Sequence, residues 1–296
     1  MKVLVIGASG YVGGGAARAL RTAGHEVTGA ARSDEARETL TSAGYGVVRA
    51  DVGDPASLID VARASDAVVY AVQVNQRDAE QVNSAALRSL VDALADTTKA
   101  LLFTSGVWYY GPTGDRIADE QTPPDPSPSM ASRARLEAIV LEGTNRGVRS
   151  VVIRPGNVFG EGRGLPAMYV QWAREGTART IGNGSNRWSV VNLDDLGRQY
   201  ALALERARPG DVFNATDETT FTQLEVAQAA SRGARQDVAP TVWPVEEASV
   251  ALGPWVAFLA MDQRVTSTRA RSRLGWATQA PTIVEDLERG SYVLPQ

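Results

Sequence analysis

The chain has 296 residues, enough for one large α/β domain or for one domain with a small second one. At 44% hydrophobic residues it can bury a full core, and its net charge of −4 provides no basic field for general nucleic-acid binding. It contains no cysteine and one histidine, so the counts exclude disulfides, a thiolate nucleophile, Cys-ligated zinc and a multi-histidine metal site.

No apolar run approaches the roughly 18 residues of a membrane span, and the first predicted strand begins at Val3. We therefore expect no signal peptide and no membrane partner. We expect a cytoplasmic protein that acts on a small molecule, as a monomer or a homodimer.

The first predicted element is a short β-branched strand, Val3–Ile6, followed by a glycine turn and then by a helical pattern. This order places the free N–H groups of a helix N-terminus over the strand's carboxyl end, where they attract a phosphate. Gly7 permits the tight turn, Gly10 admits a pyrophosphate, and Gly13 lets the helix lie close to the strand. The turn predicts a dinucleotide site, for which the candidate residues are Gly7, Ser9, Gly10, Tyr11, Val12 and Gly13.

The second predicted strand, Glu26–Ala31, is followed by Arg32 and Ser33 rather than by the acid that binds the ribose hydroxyls in NAD-binding folds. An arginine can hold a 2′-phosphate through charge-assisted hydrogen bonds, and no acid stands where it would repel one. Arg32 and Ser33 therefore favour NADP over NAD. The alternative is that Arg32 is only a solvated loop charge.

Strands and helices alternate through the middle of the chain, which predicts an α/β fold of the Rossmann type with a doubly wound parallel sheet. Ligands in such sheets lie at the carboxyl ends of the strands. We expect Asp51 and Val52 under the adenine, and Ala71, Val72 and Gln73 on the path to the nicotinamide. Further strands are predicted at Tyr45–Ala50, Asp66–Val72, Lys99–Ser105, Ser150–Ile153, Arg187–Asp195 and Asp211–Asn214, and helices at Pro55–Ala64, Asp78–Ala95, Ser129–Thr144 and Leu165–Arg174.

Prolines and glycines interrupt this pattern at Gly111–Ser129, which predicts a lid or a binding loop. We assign residues 1–160 and 187–215 to the dinucleotide-binding domain, and residues 161–186 and 216–296 to a smaller, mostly C-terminal substrate lobe. Trp108, Trp172 and Trp188 are candidates for lining an apolar substrate cleft, with core packing as the alternative.

The sequence contains further motifs in addition to the glycine turn: Thr104-Ser105 with Tyr110-Gly111, Arg154–Gly160, and Arg187 with Asp194-Asp195. With these motifs the chain resembles, over nearly its whole length, the extended short-chain dehydrogenase/reductase family, the group of the NAD-dependent epimerases and dehydratases. The resemblance implies a nicotinamide cofactor, held in part by Pro155, Asn157 and Val158, and a substrate between the two lobes. It also implies that Arg187 binds a substrate diphosphate, unless Arg187 only pairs with Asp194 or Asp195.

The catalytic positions depart from that family. Its members use a serine or threonine together with a Tyr-x-x-x-Lys pair. The tyrosine exchanges a proton with the substrate, and the lysine lowers the tyrosine's pKa and holds the nicotinamide ribose. No Tyr-x-x-x-Lys occurs here, because the residue four before Lys99 is Ala95 and Lys2 has none. If Glu137 aligns with the acid that usually follows the family's motif, the tyrosine position is Ser129 and the lysine position is Arg133, while the serine position falls on Gly106.

Arg133 can still hold the ribose, since its charge is permanent. Tyr109 or Tyr110, together with Ser105, is the candidate for a replacement proton relay, and the alternative is that both tyrosines only pack the end of the fifth strand. We rank first an atypical NADP-dependent oxidoreductase of a small carbonyl or alcohol, with Trp108 and Arg187 toward the substrate. A non-catalytic NADP-sensing or partner-binding protein comes second, and a nucleotide-sugar epimerase or dehydratase comes third.

Overall fold

The computed structural model describes residues 1–74, 78–127, 130–236, 238–253 and 255–293. Ser129 lies outside the described residues. The strands are β1 (Lys2–Ile6), β2 (Glu26–Ala31), β3 (Gly46–Arg49), β4 (Ala67–Tyr70), β5 (Ala100–Thr104), β6 (Arg149–Pro155), β7 (Asn157–Gly160), β8 (Arg163–Gly164), β9 (Arg179–Ile181), β10 (Val190–Asn192), β11 (Asp211–Ala215) and β12 (Thr241–Trp243).

The α-helices are α1 (Tyr11–Thr22), α2 (Asp34–Ser42), α3 (Ile59–Arg63), α4 (Ala79–Leu94), α5 (Ala131–Glu142), α6 (Leu165–Arg174), α7 (Leu193–Arg206), α8 (Gln223–Gly233), α9 (Val245–Leu252), α10 (Val256–Leu259), α11 (Thr268–Leu274) and α12 (Ile283–Arg289). Short 3-10 helices occupy Pro55–Leu58, Val107–Tyr110 and Gly143–Arg146.

A parallel sheet forms the centre of the fold, and within the described ranges its seven strands run in the order β11-β6-β5-β4-β1-β2-β3. The chain builds outward from β1 to β3, crosses back to β4 beside β1, and then builds outward in the other direction. This reversal makes the sheet doubly wound, as predicted, and opens a crevice at the carboxyl ends of β1 and β4. The predicted return of residues 211–214 to the sheet is confirmed, because β11 pairs with β6 in parallel.

Hydrophobic clusters cover both faces of the sheet. On one face, α1 and α7 pack over side chains that include Leu102 and Ile153. On the other face, α4 and α5 cover Tyr70, Phe103 and Val152. Successive residues of a strand point to opposite faces of the sheet. The faces of Leu102 and Phe103 in β5, and of Val152 and Ile153 in β6, therefore determine the faces of the residues that follow them.

A third cluster forms the core of the smaller lobe, where α6, α8 and α12 pack together. Trp172 and Trp188 are buried in this cluster, and the indole Nε1 of Trp188 donates to the carbonyl oxygen of Leu259 (2.9 Å). Both tryptophans therefore pack a core rather than line an open cleft. Helix α11 returns to the sheet, where Ala270 and Leu274 join the cluster under α7.

The segment 111–127 contains no helix and no strand in the described chain, which agrees with its many prolines. It is nevertheless fixed in place. Ala118 forms a parallel bridge with Val265, and the amide Nε2 of Gln263 donates to the carbonyl oxygens of Val107 (2.9 Å) and Gly111 (2.8 Å). Residues 262–266 thus hold the segment as a wall of the cleft. In the part of the chain that is described, no helix has both the length and the apolar surface needed to cross a bilayer.

Candidate active site

The glycine turn between β1 and α1 has the geometry of a phosphate-binding turn. Gly7 has a φ of +96°, and a Cβ there would lie 2.4 Å from the carbonyl oxygen of Ala71, so only glycine fits. A Cβ on Gly13 would lie 2.2 Å from the carbonyl oxygen of Gly7, because α1 packs directly against the turn. A Cβ on Gly10 would meet only the Gly7 carbonyl oxygen, at 3.2 Å, so the space in front of Gly10 is open.

The N-terminus of α1 is available to an anion. Gly10 is the N-cap, no side chain caps the helix, and its first turn carries no acid. The N–H groups of Tyr11 and Val12 have no partner within the helix, so together with the helix dipole they can hold a phosphate. The side chain of Tyr11 points elsewhere, since its hydroxyl donates to the carbonyl oxygen of Gly160 (2.7 Å), whereas Ser9 is exposed at the turn.

Arg32 follows β2 directly and is exposed beside the glycine turn, because β2 pairs with β1 up to Ile6. The hydroxyl of Ser33 accepts a hydrogen bond from the N–H of Ala36 (3.2 Å) and so caps α2. Asp34 pairs with Arg37 at 3.3 Å. Arg32 itself forms no ion pair with any residue that the structure describes, which leaves its guanidinium free to bind a phosphate.

The other expected cofactor residues lie along the same edge of the sheet. They are Asp51 and Val52 after β3, Ala71, Val72 and Gln73 after β4, and Pro155, Asn157 and Val158 at the end of β6 and in β7. The N–H of Ala71 donates to Ile6 (2.9 Å), so the segment after β4 continues beside the glycine turn. The open turn, the free helix N-terminus and this edge fit a nicotinamide dinucleotide.

Ser105 and Arg154 are lateral neighbours at the carboxyl ends of β5 and β6. The register pairs Thr104 with Ile153, and the N–H of Ser105 donates to the carbonyl oxygen of Ile153 (2.8 Å). The Thr104 hydroxyl hydrogen-bonds to Tyr200 of α7 (2.5 Å), so Ser105 faces the opposite side of the sheet, toward α5. The Ser105 hydroxyl is buried and has no hydrogen-bond partner among the described residues.

Arg133 reaches this corner from α5. Its guanidinium donates to the carbonyl oxygen of Thr104 over 3.4 Å, and within the described residues it has no carboxylate partner. Burial lowers the pKa of Arg133, while Tyr70 and Glu137 oppose that shift. An arginine keeps its charge at physiological pH even so, which leaves a cation with spare donors beside the end of β5.

Behind Ser105 lies a buried polar network centred on Arg154. Its guanidinium binds both carboxylate oxygens of Glu137, with Nε to Oε1 at 3.0 Å, and both side chains are almost fully buried. It also donates to the Tyr110 hydroxyl (2.7 Å), which donates in turn to the Asn214 side chain (2.8 Å). Burial raises the pKa of Tyr110 to about 12 although Arg154 opposes the rise. Tyr110 is thus engaged inside the protein and does not face the cleft.

Tyr109 differs from Tyr110 because it is only half-buried. The Arg154 guanidinium carbon lies 3.9 Å from the centroid of the Tyr109 ring, and the two tyrosine rings meet edge to face at 5.5 Å. Burial raises the pKa of Tyr109, and Arg154 counteracts part of that rise. Of the two tyrosines, Tyr109 is the more exposed, and its hydroxyl is not held by the network that binds Tyr110.

Of the two interpretations of Arg187, the alternative in which it pairs with Asp194 or Asp195 is wrong. Arg187 pairs with Asp262 (3.8 Å) and not with Asp194 or Asp195, and the N–H of Arg187 also donates to the Asp262 carboxylate (2.7 Å). Asp195 is buried and forms an ion pair with Arg198. The charge of Arg187 is therefore partly neutralised before any ligand binds.

Two cavities meet at Arg187, one of about 570 Å³ beside Asp262 and one of about 460 Å³ beside Ser189 and Gln263. The second cavity adjoins the 3-10 helix that carries Tyr109, because Gln263 is anchored to that helix. Trp108 of the same 3-10 helix stacks on Phe258 of α10, with ring centroids 4.4 Å apart. Trp108 thereby joins the sheet to the smaller lobe.

The roles of Asp262, Gln263 and Asn214 could not be predicted, because each contacts a partner at least 75 residues away in the sequence. Arg154 was recognised only as part of a motif, and nothing in the sequence indicated its contact with Tyr109. Its partner Glu137 lies 17 residues earlier, on α5. The contacts of Arg154 with Tyr109 and of Tyr110 with Asn214 form only because β5, β6 and β11 are neighbours in the sheet.

Comparison with known proteins gives a consistent result. Residues 3–216 match the model of the NAD dependent epimerase/dehydratase family. The Uncharacterized protein YLL056C of Saccharomyces cerevisiae is 30% identical over 303 residues, covering 99% of this chain and 100% of that protein. The 2-alkyl-3-oxoalkanoate reductase of Stenotrophomonas maltophilia is 29% identical over 223 residues, covering 71% of this chain and 67% of that protein. The crystal structure of human epimerase family protein SDR39U1 with NADPH has a TM-score of 0.78 at 23% identity, covering 99% and 100% of the two chains.

Proposed function

The chain belongs to the NAD-dependent epimerase/dehydratase family, and we propose that within it the protein is an NADP-dependent reductase of a small carbonyl compound. The observation that carries the proposal is Arg32, which pairs with no acid among the described residues and lies beside an open glycine turn, with no acid at the end of β2. A guanidinium at this place favours a 2′-phosphate, whereas an acid would favour the free ribose hydroxyls.

The residues that would hold the cofactor follow from this edge of the sheet. The N–H groups at the start of α1 take the pyrophosphate, Arg32 takes the 2′-phosphate, and Arg133 takes the nicotinamide ribose in place of the family's lysine. When bound, the nicotinamide supplies a hydride to the substrate carbon. Tyr109 and Ser105 are then the hydroxyl groups closest to the end of β5 that are free to act on the substrate oxygen.

Binding measurements test the cofactor part of the proposal. We expect Arg32→Ala to weaken NADPH binding about tenfold or more, the value of a lost charge-assisted contact, with NADH binding unchanged. Arg37→Ala is the matched control, because Arg37 is exposed in the first turns of α2, close to Arg32 in the sequence, and already pairs with Asp34. Tighter binding of NADH than of NADPH by the unaltered protein would overturn the preference for NADP.

Turnover measurements test the reaction. Incubation with NADPH and a panel of aldehydes, ketones and β-keto acids is expected to oxidise NADPH and to yield the alcohol. The β-keto acids are included because one relative is named a 2-alkyl-3-oxoalkanoate reductase. Binding of NADPH without any oxidation across the panel would favour a non-catalytic NADP-sensing protein, for which the glycine at position 106 is the supporting observation.

A nucleotide-sugar epimerase fits the site less well. That activity was linked to Arg187 as a diphosphate ligand, and Arg187 is paired with Asp262. A substrate diphosphate would have to compete with a carboxylate that is already in place. The ion pair supports the reductase over the epimerase.

A further inference from the structure

Tyr109 and Arg154 are in contact although they come from different elements, the 3-10 helix after β5 and the strand β6. The family's Tyr-x-x-x-Lys pair, by contrast, lies on a single helix. The guanidinium carbon of Arg154 lies over the Tyr109 ring, 3.9 Å from its centroid, and Glu137 and Tyr110 hold the same guanidinium through hydrogen bonds. A guanidinium stacked on an aromatic face is an attractive arrangement, and it is stronger where water is excluded. The side chain of Arg154 is only 5% exposed.

The position of this pair relative to the sheet is also specific. Ser105 and Arg154 stand side by side on the α5 face at the carboxyl ends of adjacent strands, and Tyr109 lies over Arg154. Arg133 reaches the same corner through its contact with Thr104. The half-buried Tyr109, the buried Ser105 hydroxyl, which has no partner among the described residues, and two arginines therefore lie at the end of β5 and β6, the edge of the sheet where we expect the nicotinamide.

We propose that Tyr109 is the proton donor of the reaction and that Arg154 is the positioning residue that holds Tyr109 and stabilises its phenolate. This inference rests on the proposed function. The carbonyl carbon takes the hydride, the electron pair of its π bond moves to the oxygen, and that oxygen takes the proton of the Tyr109 hydroxyl. Water then returns a proton to Tyr109, so one carbonyl, one NADPH and one proton give one alcohol and NADP.

The charges around Tyr109 fit a donor. The groups that face it are Arg154 from β6, Glu137 from α5 and Tyr110 from its own 3-10 helix. Burial raises the pKa of Tyr109, which keeps the hydroxyl protonated at neutral pH, and Arg154 favours the phenolate that forms when the proton leaves. Glu137 alone would oppose the phenolate, but it is bound to Arg154.

The test follows the ionisation of Tyr109 directly and needs no substrate. The ultraviolet absorbance of tyrosinate is measured as a function of pH in the unaltered protein and in Tyr109→Phe. The difference between the two curves gives the ionisation of Tyr109 alone. The double variant Arg154→Met with Glu137→Leu removes both buried charges and fills their space with apolar side chains, an exchange that proteins often tolerate. We expect the titration of Tyr109 to move to higher pH, by roughly tenfold in proton affinity.

Two further variants keep the result interpretable. Arg154→Lys retains the positive charge but removes the contact of the guanidinium with the ring. We expect the midpoint of its Tyr109 titration to lie between those of the unaltered protein and the double variant. This single variant replaces the double variant in the test if the double variant does not fold. Arg135→Met with Glu80→Leu makes the same exchange at an exposed ion pair between α5 and α4. This control is expected to leave the titration unchanged.

Turnover completes the test. We expect Tyr109→Phe to lower kcat about 100-fold or more with NADPH binding unchanged, the range of a lost general acid. In Arg154→Lys, the alkaline limb of the kcat profile should move together with the titration. Full turnover by Tyr109→Phe, or an unchanged titration in the double variant, overturns the inference even if the protein is an active reductase. An unaltered protein that binds no NADPH overturns the proposed function instead, and the titration result then stands by itself.

Discussion

The carboxylate of Glu120 accepts a hydrogen bond from the backbone N–H of Asn214 at 2.9 Å. Asn214 belongs to β11, the edge strand of the sheet, so this contact satisfies an N–H group that no further strand covers. The same residue receives the Tyr110 hydroxyl through its side chain. The proline-rich segment that carries Glu120 is thus joined to the buried network around Arg154.

The burial of Glu120 predicts a pH-dependent stability. Burial raises the pKa of Glu120, although the hydrogen bond from Asn214 and the charge of Arg269 oppose the rise, so between its ordinary range and the raised value the folded protein binds more protons than the unfolded chain. The stability contributed by Glu120 therefore falls as pH rises through that window. Glu120→Gln keeps the acceptor and removes the charge, and we expect it to raise the free energy of unfolding at neutral pH, with no gain at low pH.

Urea unfolding at several pH values measures this effect. Glu38→Gln, at an exposed position on α2, is the control and should change stability equally little at every pH. A difference between Glu120→Gln and the unaltered protein that stays constant with pH would contradict the assignment.

Removal of the hydroxyl group is expected to have opposite effects at two buried tyrosines, Tyr110 and Tyr169. Tyr110→Phe removes the hydrogen bonds that its hydroxyl makes with Nη1 of Arg154 and Oδ1 of Asn214, which should cost about 1–3 kcal/mol. The hydroxyl of Tyr169 is buried with no hydrogen-bond partner among the residues described, so Tyr169→Phe should be neutral or stabilising by up to about 1 kcal/mol. Thermal unfolding of the two variants measures both, and equal losses would refute the difference.

Gly13 should be intolerant of any side chain. A Cβ there overlaps the Gly7 carbonyl oxygen at 2.2 Å, so Gly13→Ala must push α1 away from the turn. We expect a loss of about 1–3 kcal/mol in stability and a loss of NADPH binding. Gly14→Ala is the control on the same helix, where the nearest atom would lie at 3.3 Å, and it should change stability by less than about 1 kcal/mol. Calorimetry of both variants distinguishes a packing effect from a general effect of helix substitution.

The Arg187–Asp262 pair predicts weak binding of anions. Asp262→Asn keeps an acceptor for the Arg187 N–H but removes the competing charge. We expect inorganic pyrophosphate to bind roughly fivefold more tightly to this variant, the value of about 1 kcal/mol for a partly exposed pair. Asp115→Asn makes the same change at the neighbouring Arg264 pair, whose carboxylate is fully exposed, and should have a smaller effect. Tight pyrophosphate binding by the unaltered protein would revive the nucleotide-sugar alternative.

The fold and the cofactor edge could be read from the sequence because their determinants are local. A β-branched strand, a glycine turn and a helix follow one another within residues 2–22, and the period of the later strands and helices dictates a doubly wound sheet. Arg32 likewise owes its position to the strand that immediately precedes it.

The contacts of the candidate catalytic residues at the end of β5 could not be predicted from local sequence. Tyr109 and Tyr110 are adjacent in sequence, yet Tyr109 is partly exposed over Arg154, whereas Tyr110 is buried against residues of β6 and β11. The partner of Arg187 lies 75 residues away, whereas the sequence offered two nearer aspartates. Such roles depend on neighbours that only the tertiary packing supplies, and no periodicity encodes them.

Residues 262–266 lie far from the dinucleotide turn in the sequence, and through Gln263 and Val265 they hold both the 3-10 helix and the proline-rich segment. Under the proposed function, the first strands of the sheet bind the cofactor and this later stretch borders the substrate. Substitutions within residues 262–266 are then expected to change which substrate binds while NADPH binding stays the same.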